Sequence, residues 1–125
     1  MEITVTDEQD ERFIEFCKSF GCEVNDPQVV LLLNNYKKTV GCASFKVYDS
    51  ESAEIITLFL NSYDDRDKIA YKLIRQLEKV AMDYEFKSIV VSFDSKEDIL
   101  VDIFEKLDYT FVDDLLMKKE FKSLI

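Results

Sequence analysis

Residues 62–86, SYDDRDKIAYKLIRQLEKVAMDYEF, follow the apolar run AEIITLFL (53–60) and precede a second one, SIVVSF (88–93). Within this stretch Ile69, Leu73, Leu77, Val80, Ala81 and Tyr84 recur at spacings of three and four, while Lys72, Arg75, Glu78, Lys79 and Asp83 fall between them. That period gives an amphipathic helix with one packed and one wet face. Asp64 or Asp65 is placed to cap it. Two strand-like runs joined by such a helix are expected to lie parallel in one sheet, because the crossover returns the chain to the same end.

Working outward, Ser88–Phe93 is followed by Asp94 or Ser95 as a cap and a helix over about Lys96–Leu107, with Ile99, Leu100, Ile103, Phe104 and Leu107 inward. Tyr109–Val112 and Leu115–Phe121, parted by Asp113 and Asp114, read as a closing hairpin. Toward the N-terminus, Val29–Leu33 and Thr39–Tyr48 flank a polar tip and form another hairpin, which Ala53–Leu60 extends into a meander. Gly41, inside the second of these strands, marks a bulge or a close backbone approach. Ile3–Val5 is a short first strand, and Thr6 or Asp7 caps a helix running to about Phe20. Its apolar members are Phe13, Phe16, Cys17 and Phe20, and Gly21 supplies the left-handed end.

With 125 residues and 47% hydrophobic side chains, the chain is expected to form one domain over 1–125. Its 26 acidic and 16 basic residues leave a net charge of −10, which disfavours phosphate backbones and anionic membranes and favours cationic or neutral partners. The most apolar run, VVLLL (29–33), is far too short to span a bilayer, so a soluble, cytoplasmic protein is expected. Cys17, Cys22 and Cys42 form no CxxC pair and read as reduced core thiols. Histidine is absent, which removes His-based triads and most catalytic metal sites; no metal is expected. Proton transfer is left to carboxylates, Tyr, Lys, Cys or water.

From Val40 to Phe121 the sequence resembles the Gcn5-related N-acetyltransferases (GNAT). VGCASFKV (40–47) is similar to a family strand carrying glycine and small residues, and LFLNSYDDRDKIAYKLIRQLEKVAMDYEFKSIVV (58–91) aligns without a gap on the acyl-CoA motif and its helix. IFEKLDYTFV (103–112) is similar to the tail motif. The resemblance implies an α/β (α+β) fold in which a mixed, mostly antiparallel central sheet is flanked by helices. It also implies transfer of an acetyl group from acetyl-CoA, or another acyl-CoA, to an amine by direct attack on the thioester. The cofactor-binding positions it implies are Phe59, Leu60, Asn61, Arg66, Asp67, Lys68, Ile69, Ala70 and Phe104, and Glu54 stands where some members carry a catalytic base.

The match is loosest at the loop that holds the CoA pyrophosphate. The family uses Arg or Gln, two arbitrary residues, Gly, one residue, then Gly or Ala, because backbone N–H groups at the helix start must approach the anion closely. Here the six positions read Asp65, Arg66, Asp67, Lys68, Ile69 and Ala70. Two readings stand: either an aspartate caps the helix and a carboxylate fills the anion site, or the cradle survives with Arg66 and Lys68 supplying charge. Phe104 replaces a tyrosine that often protonates the leaving thiolate, Glu97 a frequent asparagine, and Glu85 and Asp108 the usual turn glycines. Tyr63, Tyr71 and Tyr109 are candidates to supply another hydroxyl, and ring packing is the ordinary use of each. The expected function is a small N-acyltransferase with a diverged site. Its partner would be a small-molecule amine or cationic substrate, with a homodimer allowed for and neither nucleic acid nor membrane involved. The alternative is a non-catalytic protein of the same fold that serves as an interaction module for a basic partner.

Overall fold

Gly41 and its neighbours on the central helix set the spacing of the core. In the computed structural model, which describes residues 2–21, 27–61 and 66–122, the chain runs β1 (Glu2–Thr6), α1 (Glu11–Ser19), β2 (Val29–Asn35), β3 (Lys38–Val47), β4 (Ser52–Leu60), α2 (Arg66–Asp83), β5 (Ser88–Ser92), α3 (Leu100–Lys106), β6 (Thr110–Phe111) and β7 (Leu116–Glu120). The strands join one sheet in the order β1-β2-β3-β4-β5-β7-β6. Every adjacent pair is antiparallel except β4 and β5, which run parallel as the crossover requires. The mixed, mostly antiparallel sheet with flanking helices is therefore as the sequence leads one to expect. Asp64, Asp65, Tyr63 and Cys22, and with them the aspartate cap expected for α2, lie outside the described residues.

α2 and α3 pack on one face of the sheet. Ile69, Leu73, Ile74 and Leu77 are buried there against Leu31, Leu33, Ala43, Phe45, Ala53 and Ile55; burial of each large helix side chain is worth about 1.5–3 kcal/mol. A Cβ at Gly41 would stand 3.1 Å from Leu73 Cδ1 and 3.5 Å from Ile69 Cγ2, so the glycine is a close approach of β3 to α2. A bulge also occurs here, where the β2–β3 register shifts between Leu33 and Asn34. α1 covers the other face only over β2 and β3, placing Phe13, Phe16 and Cys17 on Val30, Leu32 and Cys42. Cys17 and Cys42 are buried thiols outside any disulfide, and burial pushes the Cys42 thiol far up.

The helix ends share a design that sequence reading caught only in part. Gly21 N–H donates to Lys18 O, Glu85 N–H to Met82 O and Asp108 N–H to Glu105 O, with φ of 69°, 68° and 72° respectively. Phe86 N–H reaches Ala81 O and Tyr109 N–H reaches Phe104 O, completing Schellman ends on α2 and α3. Glu85 and Asp108 therefore stand in left-handed positions where glycine is the strain-free residue.

Several local expectations are corrected. The cap of α1 is Asp10, not Thr6 or Asp7. Thr6 closes β1 and gives its hydroxyl to Asp10 Oδ2, Asp7 takes the Gln9 N–H, and Asp10 Oδ1 takes the Arg12 N–H at 2.9 Å. α3 starts at Leu100, later than Lys96, because Ser95 Oγ and Asp98 Oδ1 accept the N–H groups of Glu97 and Leu100 and hold 95–98 as a turn. Ile99 then falls outside the helix and is exposed, as is Tyr84 beyond the end of α2. Glu78, assigned to the wet face, is buried.

Candidate functional site: a cleft where two parallel strands part

β4 and β5 pair over four residues only, from Ser52 opposite Ser88 to Ile55 opposite Val91. The Ser52 and Ser88 hydroxyls, 2.6 Å apart and buried, tie the closed end. Beyond Ile55 the strands separate, for a reason visible in the register of β3 with β4. Ser44 faces Thr57 while Phe45 faces Ile55, so Ile56 is an extra, bulged residue at the point of parting. A bulge bends and twists its strand, and here it turns the second half of β4 away from β5. On its β5 side, Ile56–Leu60 has no ladder partner, which leaves backbone donors and acceptors along one wall of the opening.

The opening is a cleft of about 170 Å³ lined by Ile55–Leu58 of β4, Val91, Ser92 and Phe93, the carboxylates Asp94 and Asp98, and Leu100 and Phe104. Its lining mixes the apolar side chains with Thr57, Ser92 and the two aspartates, and Ser92, Asp94 and Asp98 are exposed to solvent. A larger hollow of about 540 Å³ opens at the other end of β5, beside Glu51, Phe86, Lys87, Lys118 and Glu120. There Lys87 pairs with Glu51 at 3.4 Å and Lys118 with Glu120 at 3.9 Å on an open surface. The smaller cleft is the better candidate, since it lies at the break in the sheet, where the β4 edge has no strand partner.

The residues singled out from sequence fall in three places. Phe104 lines the cleft; its ring meets Phe93 at 5.6 Å and Tyr109 at 4.9 Å, both edge to face, and the position offers no hydroxyl. Phe59, Leu60 and Asn61 form the end of β4 and the residue after it, with Asn61 N–H donating to Val40 O. The Phe59 ring stacks on Phe20 at 4.9 Å, on the face covered by α1. Arg66, Asp67, Lys68, Ile69 and Ala70 are the first five residues of α2. Ile69 and Ala70 are buried in the core, whereas Asp67 and Lys68 are exposed and Arg66 is half-buried. Neither Arg66 nor Lys68 makes an ion pair among the described residues. Glu54 lies on the paired part of β4, its carboxylate 4.0 Å from Lys46 Nζ, one residue before the parting and outside the cleft lining.

Sequence reasoning missed Thr57, Ser92, Asp94 and Asp98 as lining groups. The sign available was Thr57 itself, a hydroxyl inside the apolar run AEIITLFL; what it lines follows from the bulge, which no local pattern announces.

No family model matches the sequence, and comparison with curated proteins finds no match. Solved structures do match. The aminoglycoside 6'-N-acetyltransferase from Enterococcus faecium is 16% identical, with 96% of this chain and 97% of that one covered and a TM-score of 0.78. An aminoglycoside 6'-acetyltransferase type Ii gives 18%, 96%, 97% and 0.79 in the same order. A GNAT family acetyltransferase from Elizabethkingia anophelis, with acetyl-CoA bound, gives 12%, 95%, 98% and 0.71. At these identities the likeness establishes the fold, which is that of the GNAT acyl-CoA N-acyltransferases. Among the described residues no helix is long and apolar enough to cross a membrane, and no group of acidic or cysteine side chains could hold a metal ion.

Proposed function

We propose that this chain, built on the GNAT fold, is an acyl-CoA-dependent N-acyltransferase that moves an acetyl group from acetyl-CoA to an amine. One observation carries the reading: the parting of β4 from β5 at the Ile56 bulge. It gives a small cleft of mixed apolar and polar lining with an unpaired strand edge, which suits an extended thioester arm bearing amides. α2 is the next described element after β4, and Arg66 and Lys68 at its first turn suit the phosphates at the other end of such a substrate. The structural neighbour with acetyl-CoA bound supports the same substrate.

The acceptor is a small cationic amine, in keeping with Asp94 and Asp98 in the cleft and the net charge of −10. The amine must lose a proton to attack. Glu54, one residue from the parting, is the group we assign to that task through water. Attack on a bound thioester draws most of its acceleration from proximity and from donors aimed at the carbonyl, so the missing hydroxyl at Phe104 lowers the rate without abolishing it.

The test is a thermal titration with acetyl-CoA. Saturation a hundredfold above the dissociation constant adds about 2.7 kcal/mol of stability and raises the melting temperature. No shift at millimolar acetyl-CoA overturns the reading. Because Phe104 removes an acid, a second reading stands beside the first: a non-catalytic module of this fold that engages a basic partner. Binding of acetyl-CoA without turnover across a panel of amines would favour it.

A further inference from the structure

The cleft contains one hydroxyl that the fold has prepared on one side and left open on the other. Thr57 is 2% exposed and lines the cleft one residue beyond the bulge. Its Oγ1 accepts a hydrogen bond from the Ser44 hydroxyl, itself fully buried, at 2.7 Å. Thr57 is the acceptor in that bond, so its own proton is not spent there, and it makes no other side-chain hydrogen bond among the described residues. A buried hydroxyl polarised by one donor and free to donate is a stronger donor than a solvated one, because charge shift along the pair is not screened by water. The cleft it lines is bounded by Ile55, Ile56, Leu58 and Val91 and, toward its polar side, by Ser92, Asp94 and Asp98.

We propose that Thr57 is the side-chain donor to the thioester carbonyl oxygen of the acyl substrate, with Ser44 as its positioning residue; the assignment rests on the acyltransferase reading above. As the amine nitrogen bonds to the carbonyl carbon, electron density moves onto the carbonyl oxygen, and the Thr57 hydrogen bond shortens to meet it. When the oxyanion collapses, the C–S bond breaks and its electron pair leaves on sulfur. The proton shed by the nitrogen passes to water, and the thiolate takes one from water. Thr57 keeps its proton throughout, so the step needs no further co-reactant.

Acetyl-CoA labelled with ¹³C at the carbonyl tests this without an identified acceptor, by infrared difference spectroscopy of the bound ester and by its dissociation constant. The wild type is expected to bind the ester with its carbonyl band shifted to lower wavenumber than in Thr57→Val, with Thr57→Ser restoring the shift. Affinity for acetyl-CoA should change by less than tenfold. Because Thr57→Val strands the buried Ser44 hydroxyl, the double variant Ser44→Ala/Thr57→Val, which removes both partners, serves if the single one folds poorly. It should show the same loss of shift. An unchanged band in Thr57→Val with acetyl-CoA bound, or a change caused by Ser92→Ala instead, overturns the Thr57 assignment alone. Failure of the wild type to bind acetyl-CoA overturns the acyltransferase reading and this assignment with it.

Discussion

The Tyr109 hydroxyl donates to Glu78 Oε2 at 2.8 Å, joining the turn after α3 to the buried side of α2. Lys119 on β7 reaches both oxygens of the same carboxylate at 3.2 Å. Burial and the neighbouring carboxylate push the Tyr109 hydroxyl far up, so it remains protonated and a donor. A carboxylate at this depth is tolerated because two donors meet it, and removing it leaves an ammonium and a hydroxyl without their acceptor. Glu78→Ala is expected to cost about 3 kcal/mol and Tyr109→Phe about 2 kcal/mol, read from the urea midpoint at constant slope.

Glu85 and Asp108 occupy left-handed backbone at the ends of α2 and α3. That conformation costs an ordinary side chain about 1–2 kcal/mol, part of which glycine returns as unfolded-state entropy. Glu85→Gly and Asp108→Gly are each expected to stabilise by about 0.5–1 kcal/mol, and to add, since they lie at separate helix ends. Thermal melting of the two single variants and the double one checks this.

Gly41 predicts the opposite sign. An added methyl meets Leu73 Cδ1 at 3.1 Å and the Phe59 carbonyl oxygen at 3.4 Å. Leu73 can move, the strand oxygen less so, and the packed helix must shift outward. Gly41→Ala is expected to lower stability by about 1 kcal/mol, and Gly41→Val by up to about 3 kcal/mol, in denaturant unfolding.

At the start of α2, Lys68→Glu places a negative charge where Arg66 and Lys68 would meet phosphate. It is expected to weaken acetyl-CoA binding at least tenfold, about 1.4 kcal/mol, with less salt dependence than the wild type. Lys79→Glu, late on the same helix and exposed, is the control and should bind as the wild type does. Calorimetric titration at two salt concentrations separates the two.

Asp10 gives a pH signature. The Arg12 guanidinium and backbone N–H, with the Thr6 hydroxyl, hold its carboxyl at about 2, below its ordinary 3.8, against a smaller opposing effect of burial. A folded-state value that is depressed contributes stability above the unfolded value, lost as pH falls through the folded one. The Asp10 contribution is thus complete above about pH 4 and gone below about pH 2. Asp10→Ala should cost about 1 kcal/mol at pH 7, with the difference from the wild type shrinking as pH falls from about 4 through about 2, in melts across that range.

Much of the fold was written locally. The three-and-four spacing from Ile69 to Ala81 needs only helical geometry to define a buried face. Alternation and short polar tips are enough to define the strands, and a helix between two apolar runs makes their pairing parallel. The left-handed positions of Glu85 and Asp108 are not local signals of this kind: the family resemblance, not the residues themselves, implies turn glycines there. Other features depended on partners far along the chain. Glu78 belongs by spacing to the wet face, and it is buried because Tyr109 and Lys119, distant in sequence, arrive beside it. Asp10 displaces Asp7 as a cap because Thr6 ends a strand and hands over its hydroxyl. The cleft follows from a single bulged residue, Ile56, whose effect exists only once β3 and β5 lie on either side of β4. The amino-acid order determined which segments are helix and strand, since those periods are properties of neighbouring residues. The tertiary structure alone decided where β4 leaves β5 and which hydroxyl waits at the parting, since both depend on contacts between distant parts of the chain.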